Sequence, residues 1–248
     1  MANALSQRAK LGIGLGAAAV VAAALFASHP FGPRVPTTPD EVAALMSDSP
    51  MAARMLPAFK QTFPDEYNRM MMSEIGYMKA RMPADQVRAA TFKQMQGFVA
   101  GHVTDVARAP DAALLALARA RGALLNGADE TLCARTVAGS LTAAENPSAV
   151  AQPLIADAAA ANFRAARAGM DSPTQRPTAP SPADSQALAS RLRAHGLTDA
   201  QLGLLAGGTL PTAAPADQCT VGRAIFAALA DLPPPQAARI MAVMAKAG

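Results

Sequence analysis

The sequence predicts an all-α fold, a multi-helix domain of orthogonal or bundle-like packing behind a single N-terminal transmembrane or signal helix. Three observations carry that prediction. Helix-start signatures recur along the chain, about a quarter of the residues are Ala, and no alternating apolar–polar run is long enough for a strand. With 51% hydrophobic residues the chain can build a core. Aromatics make up only 4% and Trp is absent, so that core must come from Ala, Leu, Met and Val, which suits close helix–helix contact.

The first element is the run Leu11 to Ala27, seventeen residues without charge, preceded by Arg8 and Lys10 and no acid. A basic flank before an apolar run is either a cleaved signal or an uncleaved N-in anchor. Seventeen is the lower limit for a span, and Ala and Gly partition weakly, so both readings stay open. Either way the rest of the chain is translocated, which places it in the bacterial inner membrane facing the periplasm, or free in the periplasm if cleaved. Gly12 and Gly16 form a GxxxG pair that would let two such helices approach as a homodimer; a low-complexity signal region is the plainer reading.

The chain divides into 1–28 (leader), 29–37 (Pro-rich spacer), 38–171 (helical domain), 172–182 (Pro-rich linker) and 183–248 (a smaller helical subdomain packed on the first). Helices are expected at 39–47, 50–62, 64–82, 83–108, 110–126, 128–140, 147–169, 182–195, 198–207, 216–231 and 234–246. Thr38-Pro39-Asp40-Glu41 is the clearest start, with a hydroxyl cap, Pro at the first helical position and an acid three residues on. Ser49-Pro50, Asn146-Pro147, Ser181-Pro182-Ala183-Asp184 and Thr198-Asp199-Ala200-Gln201 repeat the logic. Pro57 is expected to kink or split the second helix. Tyr67, Met71, Ile75, Met78 and Met82 make one apolar stripe, and Val87, Phe92, Met95, Val99, Val103 and Val106 another. His195-Gly196 and Gly207-Gly208 read as helix ends.

Similar offsets around Cys133 and Cys219 suggest a decayed duplication. Asp111 and Asp199 precede the two cysteines by 22 and 20 residues, and Pro147 and Pro233 each follow by 14. Chance in an Ala/Leu/Pro-rich chain is the alternative.

The net charge of +4 does not mark a nucleic-acid binder. Setting aside Arg8, Lys10 and Arg34 leaves 19 of the 22 basic residues against 18 acids, with signs interspersed. Cys133 and Cys219 are the only cysteines, and in an oxidising compartment they most simply form one disulfide. Two separate buried thiols, or a redox pair lacking a CxxC, are the alternatives.

Nine of the 13 methionines lie between Met46 and Met95. Thioethers bind Cu(I), but their helical spacing favours packing. Met71, Met78, Met82 and Met95 are the candidate lining of an adaptable partner groove. His29, His102 and His195 sit at no metal-ligand spacing. The acid pairs Asp40/Glu41, Asp65/Glu66 and Asp129/Glu130 fall in first helical turns, where the helix dipole favours negative charge. No GxSxG, phosphate-cradling loop or HExxH is present, so no catalytic, cofactor or metal residue is assigned.

The expected role is a non-catalytic interaction or assembly subunit for another envelope protein. An envelope enzyme acting on cell-wall polymer or lipid, or a copper or small-ligand carrier using Met, are the alternatives.

Overall fold

The computed structural model describes residues 35–145, 147–177 and 179–247, and these are helical without strands. The leader at 1–28, with Gly12 and Gly16, lies outside the described residues. Among the described residues no helix is long and apolar enough to cross a membrane.

The helices, in chain order, are α1 (Pro39–Met46), α2 (Pro50–Thr62), α3 (Pro64–Lys79), α4 (Ala84–Gly101), α5 (Val103–Arg108), α6 (Asp111–Gly127), α7 (Glu130–Ala138), α8 (Ala151–Asp171), α9 (Pro182–Ala194), α10 (Asp199–Gly207), α11 (Pro215–Ala230) and α12 (Pro234–Ala247). A 3-10 turn at Leu210–Thr212 joins α10 to α11. The expected starts hold where the caps are local. Thr38, Ser181 and Thr198 each form a complete capping box, and Ser49 caps α2 through the Ala52 amide. The acid pairs lie in first turns as expected, with Asp129 itself capping α7 through the Leu132 amide.

Three expectations fail. Pro57 does not split α2, which runs through it from Pro50 to Thr62. The long fourth helix breaks at His102, whose ring stacks on Phe63 and Phe98 and binds Asp105 Oδ2 at 2.8 Å. The helix expected from 147 begins at Ala151, with Ser148 accepting the Ala151 amide.

The core is built around α8, which packs against α2, α5 and α6. Its inner face is mostly Ala, with Ile155 and Phe163 fully enclosed. Small side chains let neighbouring backbones come close. At Gly169 a Cβ would fall 1.8 Å from the Asp105 carbonyl oxygen, so only Gly permits this approach of α8 to α5. Phe59, Phe63, Tyr67, Phe98 and Phe163 gather where α2, α3, α4 and α8 meet; Phe59 and Phe163 are 4.8 Å apart between ring centres.

The C-terminal helices join the same core. The α11 helix packs on α6 and α7, and α12 on α5 and α6. The Pro-rich stretch is fastened to the helical body at Thr174 and Arg176. The Thr174 amide donates to the Arg108 carbonyl at 2.7 Å. Arg176 donates to the Ala109 carbonyl at 2.7 Å and pairs with Asp111 at 2.5 Å. Asp184 at the start of α9 is buried and takes a two-pronged ion pair from Arg239 of α12, at 2.7 and 3.0 Å.

The offsets that suggested duplication align only in order. The segments beginning at Asp111 and Asp199 run α6–α7–α8 and α10–α11–α12, but their lengths are 17, 9 and 21 residues against 9, 16 and 14.

Candidate functional site

The two cysteines meet. Cys133 on α7 and Cys219 on α11 have their sulfurs 1.98 Å apart, at disulfide distance, and both are buried. The pairing crosses 86 positions of chain and ties the first helical block to the last. The surrounding contact is tight: a Cβ on Gly222 of α11 would fall 2.3 Å from Val137 Cγ2 of α7.

An open cleft of about 540 Å³ lies between α6 and α11, with Leu232 and Pro234 also in its lining. Its geometry follows from the helical repeat of α6. Leu114, Leu117, Leu124 and Leu125 turn into the core. The opposite face presents Leu115, Arg119, Gly122, Ala123 and Asn126, at steps of three and four, to the cleft. Phe226 and Leu229 of α11 form the apolar floor, and a Cβ on Gly122 would touch Phe226 Cβ at 3.1 Å. Arg223 holds the two helices in register by donating to the Leu125 and Ala128 carbonyls at the C-terminal end of α6.

The cleft has apolar walls, one cation and one amide, and no carboxylate among its lining residues. Arg119 is exposed and makes no ion pair among the described residues. Such a surface accepts an apolar segment and favours one that brings a negative charge.

The methionines are placed differently from the groove expected of them. Met71, Met78 and Met95 are buried in the core and Met82 is half-buried against it. The thioethers of Met71, Met78 and Met95 fill space in a core short of aromatic volume and offer no surface to a partner, while Met82 keeps part of its surface exposed. Among the described residues no three His, Cys, Asp or Glu side chains converge as a metal-holding group. His195 pairs with Asp231 at 2.8 Å at the surface, and His102 belongs to the aromatic cluster.

One buried acid escaped the sequence reading. Glu74 on α3 is fully enclosed and contacts Thr91 of α4. Burial pushes its carboxyl up to about 7, and the Thr91 contact pulls the other way. The spacing held the signal: Tyr67, Met71, Glu74 and Met78 lie at steps of four, three and four, so Glu74 falls within the apolar stripe. Arg121 of α6 is also buried and donates to Asn162 of α8 at 3.3 Å; burial brings its guanidinium down to about 10.

The chain matches no family model, no curated protein and no solved structure.

Proposed function

We propose that this protein is an envelope subunit, its helical body on the periplasmic side of the bacterial inner membrane, that binds and helps assemble another envelope protein without catalysis. The observation that carries the reading is the Cys133–Cys219 pair. A structural disulfide belongs to an oxidising compartment, and the basic-then-apolar leader supplies a route to it. The cleft between α6 and α11 is the surface offered to the partner. Its apolar floor and lone Arg119 suit an amphipathic helix carrying a carboxylate near its apolar face.

The carrier alternative draws on the cleft's volume, which falls in the range of small-ligand sites. The open mouth and the rim formed by one helix face favour a protein segment.

A photo-crosslinker placed at Ala123 in the full chain, in cells, tests the proposal. The expected result is a discrete adduct with an exported or membrane protein. It should be absent when the crosslinker is moved to exposed Met72 and lost on adding Arg119→Glu. Adducts with cytosolic proteins alone, or adducts indifferent to Arg119→Glu in a folded variant, contradict it.

A further inference from the structure

The contact between Glu74 and Thr91 has a proton problem whose solution assigns Glu74 a role. Thr91 Oγ1 lies 2.5 Å from Glu74 Oε1 and 2.9 Å from the Val87 carbonyl oxygen. Both separations are at hydrogen-bond distance. A hydroxyl owns one proton, and a carbonyl has none to give. Thr91 can donate to Val87, and Glu74 in turn to Thr91, only while Glu74 is a neutral carboxylic acid; an ionised Glu74 has to take the Thr91 proton itself.

The surroundings favour that state. Glu74 has no exposed surface, and its Oε2 has no hydrogen-bond partner among the described residues. An ionised carboxylate here would keep one hydroxyl donor and leave a bare buried oxygen. Among the described residues no cation pairs with it. On α4, Arg88 and Lys93 form no ion pair with it among the described residues. On α1 and α2, Asp40 pairs with Lys60 and Glu41 caps its own helix, while Arg54 pairs with Asp157 of α8. On α3 itself, Arg69 pairs with Glu66, and Tyr77 accepts from Gln94 Nε2 at 3.0 Å. Gln94 Oε1 is a second enclosed acceptor without a partner among the described residues. The seam therefore has more acceptors than protons, and losing one more is costly.

The first half of α4 is the element that this seam holds. It follows a turn in which Arg81 adopts φ of 52°, a strained left-handed conformation for a non-glycine residue. At its far end Phe98 is fixed in the aromatic cluster. We propose that Glu74 is a proton-operated latch: its neutral form keeps residues 84–95 seated on α3, and its ionisation loosens that half-helix between the Arg81 turn and Phe98. The carboxyl pushed up to about 7 puts the change within the pH range of an envelope exposed to its medium.

Hydrogen exchange of the full chain by mass spectrometry, corrected for intrinsic amide chemistry, tests the latch. The opening equilibrium of residues 84–95 is expected to rise roughly 50- to 100-fold between pH 5 and 8, the rise that a carboxyl moving from about 4.5 unfolded to about 7 folded produces. Glu74→Gln removes the titration and keeps the shape, so its opening should stay flat with pH. The same rise in the Gln variant, or a rise spread equally over α8, overturns the proposal. If the Gln variant fails to fold, infrared titration of the wild-type chain decides. A neutral-carboxyl band persisting above pH 6 and fading near 7 supports the latch, and its absence above pH 5.5 overturns it.

Discussion

Single residues carry the closest tolerances in this molecule. Gly169 has a backbone carbonyl where a methyl would go, and backbone cannot swing aside as a side-chain tip can. Gly169→Ala should therefore cost about 2–3 kcal/mol in chemical denaturation, from overpacking alone. Asp184 is the electrostatic counterpart. Its carboxyl is held well below the usual carboxylate range, first by Arg239 and then, against the effect of burial, by Ser181 and Gln236. A depressed folded pKa gives stability that is complete above about pH 4 and is lost as pH falls further. Asp184→Asn should cost about 2 kcal/mol at pH 7, discounted because Arg239 is partly exposed, with the cost shrinking below about pH 4. A pH-independent cost would mean that shape, not charge, holds the site. Glu74 has the opposite sign: its raised pKa gives stability that is complete below about 4.5 and is lost as pH rises through 7.

At the scale of elements, what was legible in the sequence follows from how local the cause is. Helix starts were legible because a cap acts within four residues, as at Thr38, Ser181 and Thr198. The break at His102 was not, because Phe63 and Phe98, distant in sequence or on the preceding turn, hold the ring that ends α4. The methionine stripe was read correctly as periodic, but which side of a stripe meets solvent depends on neighbours the sequence does not order. The cleft was invisible for the same reason, since it needs α11 laid beside α6 about 100 residues later. The Pro-rich stretch reads as a tether by composition, yet one long side chain, Arg176, is 93% enclosed and fastens it to the α5–α6 corner. Arg176→Ala should cost about 1–3 kcal/mol and expose residues 172–181 to limited proteolysis, with α8 still protected. Unchanged cleavage would show that the strap holds without it.

At the scale of the whole molecule, the disulfide joins what the sequence presents as two blocks into one core. Closing a loop across 86 positions removes freedom mainly from the unfolded chain, a contribution of about 4–5 kcal/mol in the chain-entropy model. A Cys133→Ala/Cys219→Ala chain should unfold at markedly lower denaturant, and reducing agent should bring the wild-type chain to the same midpoint. Under the proposed function, the leader, the paired sulfurs and an envelope partner would share one oxidising compartment. Cell fractionation with alkylation before and after reduction, read by mass spectrometry at Cys133 and Cys219, tests that placement most directly. The predicted result is both sulfurs blocked until reduction, in protein recovered from the membrane or periplasm. Intact protein in the cytosol, with both cysteines alkylated without reductant, would contradict it.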